Sequence, residues 1–306
     1  MKTTNIIVYF FLASSLLLFN GCSSKGSVIS KCKEGKHRVI EERKYMSCDT
    51  AFYQKPRAYG SNCENIANKT FVYALMSSNA YTDTCQFEIP HWNRVERLNT
   101  QSDMGADIVE NTDEKIVALV FRGTDSLRDW KYGNLGIRQY KEAEAMIDNL
   151  LSNWRYQGYK IVATGHSLGG GLALHCSFYR DNIDAIAFNT SPKVLKPKFE
   201  TVNSHRIIVG EKDEILQYAR RIYKKIKVDE KCDSFNFVKK KMSGHSIYKI
   251  ARGITAVAAS TNNPLAKKIM TQNLGCTFVE DREENNETNL SRRSVEAFLS
   301  QGGRVE

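Results

Sequence analysis

One hydroxyl set among glycines is the side chain best placed to do chemistry. In GHSLGGG, residues 165–171, Ser167 has Gly165 two places before it and Gly169, Gly170 and Gly171 close after it. The stretch from Tyr159 to Thr164 is uncharged after Lys160 and rich in β-branched residues, which predicts a strand. The small and apolar residues from Leu168 onward predict a helix. A G-x-S-x-G pentapeptide between strand and helix is a nucleophile elbow, a sharp turn that lifts the serine oxygen out of the backbone and tolerates little side-chain bulk around it. The phosphate-cradling alternative would end in Gly-Lys-Ser/Thr, and the chain has no such ending here.

A serine hydroxyl attacks well only when a base takes its proton and an acid orients that base. After an elbow serine the acid comes next in the chain and the histidine last. Six histidines are present. His37 and His91 precede the elbow, His166 lies within it, and His175 falls on the following helix, where packing is the expected role. His205 opens a predicted strand and precedes every good acid. That leaves His245, in KMSGHSIYKI, as the base. For the acid we favour Asp213, in IIVGEKDEIL, over its near neighbour Glu211, because the loop must clear the strand before turning back. A tetrahedral intermediate also needs two donors for its oxyanion. The backbone N–H of Leu168 is one, and Thr124, ending the strand-like KIVALVFRGT, is the other.

These residues need elements to hold them. Apolar residues recur at helical spacing from Asn62 to Tyr81 and again over 139–154, while 115–124, 184–190 and 205–210 read as strands. Strands alternating with helices of this length predict parallel crossover units and an α/β fold.

VFRGTDSLRDW (120–130) followed by GHSLGGGLA (165–173) resembles the class 3 lipase family, over roughly residues 60–255. The resemblance implies an α/β-hydrolase fold, with a mostly parallel central sheet and helices on both faces. It also implies Ser167, Asp213 and His245 as a triad, Thr124 and Leu168 as oxyanion donors, and hydrolysis of lipid esters as the reaction. Asp213-Glu214-Ile215 stands where the family usually has Asp-Pro-Val. The segment after Thr124, with Leu127, Trp130 and Leu135, holds the position of the family's lid. The alternatives are an esterase or thioesterase for small substrates and a non-catalytic surface lipoprotein on the same scaffold. The expected chemistry requires no cofactor, and no metal-ligand cluster is visible.

The chain has 306 residues, 42% apolar and 25% charged, enough for one large domain with a sizeable core. Residues 1–21 read as an export signal, with an apolar run from Ile6 to Phe19 that is short for a membrane span. Gly21-Cys22 resembles the end of a bacterial lipobox, which implies lipidation of Cys22 and an exported, membrane-anchored lipoprotein; an uncleaved N-terminal anchor is the alternative. Residues 22–45 then form a tether, 46–279 the hydrolase domain, and 280–306 a polar tail with a short helix at 292–299. Of eight cysteines, Cys22 would carry lipid and Cys176 would be a buried thiol. The other six suffice for three disulfides, with fifteen possible pairings. The net charge is +10. Between residues 217 and 245 nine Lys and Arg stand against three acidic residues. The basic segment 220–241 is either a solvated helix face or a surface that meets anionic lipid. Nucleic acid is not expected as a partner.

Overall fold

The computed structural model describes residues 60–83, 86–100, 102, 104–123, 133–191, 194–195, 203–211, 228–235, 237 and 245–274. The expected export signal and tether, Cys22, Thr124, Asp213, most of the basic segment and residues 280–306 lie outside the described residues.

Apolar alternation in two central strands sets the architecture. In β3 (Ile116–Phe121) Ala118 and Val120 point to one face, while Val117, Leu119 and Phe121 point to the other. In β4 (Lys160–His166) Val162 joins the first set and Ile161 and Ala163 the second. A strand with apolar residues on both sides must be covered on both sides. One face is covered by α1 (Gly60–Asn79), α4 (Ile247–Ser260) and α5 (Pro264–Leu274), the other by α2 (Gly133–Ser152) and α3 (Leu168–Tyr179). Full burial of side chains such as Leu119 and Ile147 contributes about 1.5–3 kcal/mol each.

The sheet has seven strands in sequential order: β1 (Asn93–Asn99), β2 (Gly105–Asn111), β3, β4, β5 (Ile183–Phe188), β6 (Arg206–Glu211) and β7 (Glu230–Phe235). β1, β2 and β3 pair antiparallel, and β3 through β7 run parallel. The expected α/β-hydrolase arrangement, a mostly parallel sheet with helices on both faces, is therefore present. Five parallel strands put their carboxyl ends on one edge, where open α/β sheets hold their sites.

Three strands have no counterpart in the sequence reading. β1 is an exposed edge strand, NRVERLN, with no apolar alternation. β2 is buried throughout yet carries Asp107 and Glu110, which read as loop residues until their partners are seen. Arg97 reaches both carboxylate oxygens of Asp107 at 2.7 Å, and Arg155 and Tyr159 reach Glu110. β7 falls inside the basic segment, so Lys231 belongs to a strand and the segment is not one continuous helix face. A disulfide joins Cys63 on α1 to Cys232 on β7 across 169 residues, settling one pairing among the six available cysteines. Closing a loop of that length restricts the unfolded chain and contributes about 2–5 kcal/mol.

Candidate active site

β4 ends at His166 and α3 begins at Leu168, so Ser167 alone makes the turn. Its backbone, at φ 57° and ψ −121°, lies where an L-residue rarely sits and costs about 1–3 kcal/mol. Three backbone hydrogen bonds hold it there: the Ser167 N–H donates to the Phe188 carbonyl at 3.0 Å, and its carbonyl accepts from Ser191 at 2.8 Å and Gly171 at 3.2 Å. The glycines permit the crossing. A β-carbon on Gly165 would lie 2.5 Å from the Gly169 carbonyl carbon, and one on Gly169 would lie 2.3 Å from the Phe121 carbonyl oxygen. Both are inside any tolerable contact, so α3 can leave β4 at this angle only with glycine at both places. Three successive glycines would weaken an exposed helix by about 1 kcal/mol each. Here α3 is buried from Gly169 to Phe178, and packing rather than propensity holds it.

The chain returns to this turn 78 residues later. His245 stands just before α4, and its Nε2 lies 3.0 Å from Ser167 Oγ. Both side chains are half-buried, open enough to meet a substrate. The Leu168 amide belongs to the first turn of α3, whose N–H groups have no partner within the helix and whose dipole favours negative charge. Serine oxygen, imidazole nitrogen and helix N-terminus thus meet at one point on the carboxyl edge, an arrangement able to deprotonate a hydroxyl and hold an oxyanion beside it. Among the described residues no group of three or more His, Cys, Asp or Glu could hold a metal ion.

Of the two acids weighed, Asp213 lies outside the described residues, two positions past the end of β6. Glu211 is the last residue of β6 and is 1% exposed. Its Oε1 accepts the Phe237 N–H at 2.6 Å, and its own N–H donates to Asn189 Oδ1 at 2.8 Å. Glu211 thus ties the ends of β5 and β7 to β6, the first through its backbone N–H and the second through its side chain. Thr124 follows Gly123, the last described residue after β3.

Two neighbours of the serine, His166 and Tyr81, have no role that the sequence assigns. His166 is buried beside Ser167, and its ring lies 4.6 Å from that of His245 between centroids. Its Nδ1 shares a 3.0 Å hydrogen bond with the hydroxyl of Tyr81, which follows α1. That contact spans 85 residues, so no local pattern announces it. His175 takes the packing role expected of it: it is 3% exposed, and its Nε2 lies 3.0 Å from Glu144 Oε1. Cys176 is a buried free thiol, as its place in the apolar helix suggests, and burial pushes its pKa well up.

Residues 72–208 match the family described as Phospholipase-like: Tle-like phospholipase domain. A Rhizomucor miehei protein named Lipase is 29% identical over 143 residues, which cover 36% of this chain and 39% of that protein. The chain thus matches well under two thirds of that relative's length. Similar solved structures include the Rhizomucor miehei lipase propeptide complex, at 22% identity and TM-score 0.38 over 51% of this chain and 63% of that one. A triacylglycerol lipase from Penicillium expansum is 15% identical, at TM-score 0.39 over 55% and 78%. The family match contains the elbow, and the seven-stranded sheet carries it on the strand its mechanism needs. Over the stretch that holds the elbow, the chain is thus similar to a phospholipase-like domain and to a fungal lipase.

Proposed function

We propose that this protein is a serine ester hydrolase acting on lipids. The observation that carries the reading is the 3.0 Å approach of His245 Nε2 to Ser167 Oγ across 78 residues. His245 takes the proton as Ser167 Oγ attacks the ester carbonyl, giving a tetrahedral intermediate whose oxyanion meets the Leu168 N–H and Thr124. Collapse of the intermediate expels the alcohol, which takes the proton from His245, and leaves an acyl-serine. Water, deprotonated by the same imidazole, then attacks the acyl carbon, and the serine recovers its proton as the fatty acid leaves. Asp213 orients the imidazole in this scheme. Supporting it, β6 runs parallel to β5 and beside it, so a loop leaving β6 starts on the edge that holds Ser167.

The family description, which speaks of a phospholipase, favours phospholipid as the ester. A lipid on Cys22 and the basic residues of 220–241 would keep the enzyme at the membrane where that ester resides. The test compares phospholipid vesicles, triglyceride emulsions and short-chain p-nitrophenyl esters as substrates for the full chain and for Ser167→Ala. Turnover on phospholipid that falls about 10⁴-fold or more in Ser167→Ala supports the reading. Turnover confined to the short-chain esters would make the protein a small-substrate esterase, and undiminished turnover in Ser167→Ala would remove the serine from the chemistry.

A further inference from the structure

We infer that Tyr81 is a positioning residue for the reaction, acting through His166 on the geometry of Ser167 and His245. The inference rests on the serine hydrolase reading above. Two neighbours, His166 and Gly123, crowd the Tyr81 hydroxyl. The Tyr81 oxygen lies 3.0 Å from His166 Nδ1, and the two rings meet edge to face with centroids 5.9 Å apart. On its other side it presses on Gly123: a β-carbon there would lie 2.1 Å from that oxygen and 3.3 Å from Ser167 Cβ. One phenol hydroxyl is therefore wedged between the elbow and Gly123. Only glycine at 123 leaves room for it.

The coupling continues to the base. The His166 ring, fixed on one edge by the phenol, lies against the His245 ring at 4.6 Å between centroids and 47° between planes. His245 Nε2 must keep its 3.0 Å approach to Ser167 Oγ, and the imidazole beside it limits how far the ring can turn. Tyr81 is itself well held. Its N–H donates to the Ser78 carbonyl, and Arg97 donates to the carbonyls of Asn79 and Ala80 while gripping Asp107 on β2. The phenol therefore has a rigid base at the end of α1 from which to fix the elbow. It touches no reacting atom, so its effect is on alignment, where a displacement of about 1 Å can cost about 100-fold in rate.

The experiment uses the full chain with p-nitrophenyl butyrate and a fluorophosphonate probe. Tyr81→Phe keeps the ring and removes the hydroxyl. We expect kcat to fall about 10- to 100-fold with KM within about twofold, the phosphonylation rate to fall in parallel, and the unfolding midpoint to stay within a few degrees. A second variant, His166→Asn, removes the ring between the phenol and His245. If the two act through one contact, the double variant loses no more than the worse single one. Unchanged kcat in Tyr81→Phe, a loss wholly explained by a smaller titratable fraction of active protein, or additive losses in the double variant would overturn the inference. If the unsubstituted chain neither labels nor turns over ester, the hydrolase reading itself fails, a result distinct from any of these.

Discussion

Ser167 caps the start of helix α3 and Cys176 sits in its middle, and the contrast between these two side chains explains the site. Ser167 stands at the mouth, half-buried, on a strained turn with an imidazole 3.0 Å away. Cys176, nine residues on, is fully buried, its Sγ near the Ala143 carbonyl, and burial pushes its thiol well above the usual range. A free thiol is by nature the better nucleophile of the two. Position reverses the order: the thiol sits where a thiolate would be desolvated, while the hydroxyl sits where a base and a helix N-terminus can help it. On the proposed reading, the turn that starts the helix decides which of the two side chains reacts.

Removing the imidazole should break the contrast from the side of the mouth. His245→Gln is expected to lower kcat about 10³- to 10⁴-fold with an unchanged circular dichroism spectrum, measured on p-nitrophenyl butyrate; a loss under tenfold would mean another base serves Ser167. A smaller effect is expected where the turn is packed. Gly169→Ala drives a methyl into the Phe121 carbonyl and should cost about 3 kcal/mol in denaturant unfolding. A neutral result there would mean that β3 and α3 separate more easily than their contact indicates. The smallest effect belongs to the middle of the helix. Cys176→Ala should leave kcat within twofold and cost about 1 kcal/mol of stability, and the native thiol should resist iodoacetamide until the protein unfolds. Rapid alkylation of the native protein would contradict the burial on which the contrast depends.

The parts of this arrangement legible in the sequence are those with a local signal. β4, the elbow and α3 are announced by a β-branched run, glycines at fixed offsets and a small-residue helix, and the observed elements begin within a residue of where those signals place them. The order of residues along the chain points to His245, whose Nε2 lies 3.0 Å from Ser167 Oγ. What stayed hidden depends on distant partners. β2 looks too charged for a buried strand until Arg97 and Arg155 close on Asp107 and Glu110. β7 hides in a basic stretch, and its identity comes from pairing with β6 and from the Cys63–Cys232 bridge. Tyr81 follows a helix like any other terminal residue, and only the fold carries its hydroxyl to the elbow.

Whether His245 makes Ser167 reactive is read out by mapping where a fluorophosphonate bonds. Peptide mass spectrometry of the labelled full chain should find the phosphonyl group on Ser167 alone, with labelling lost in His245→Gln. Labelling of another residue, or of Ser167 at an undiminished rate without the imidazole, would contradict the account.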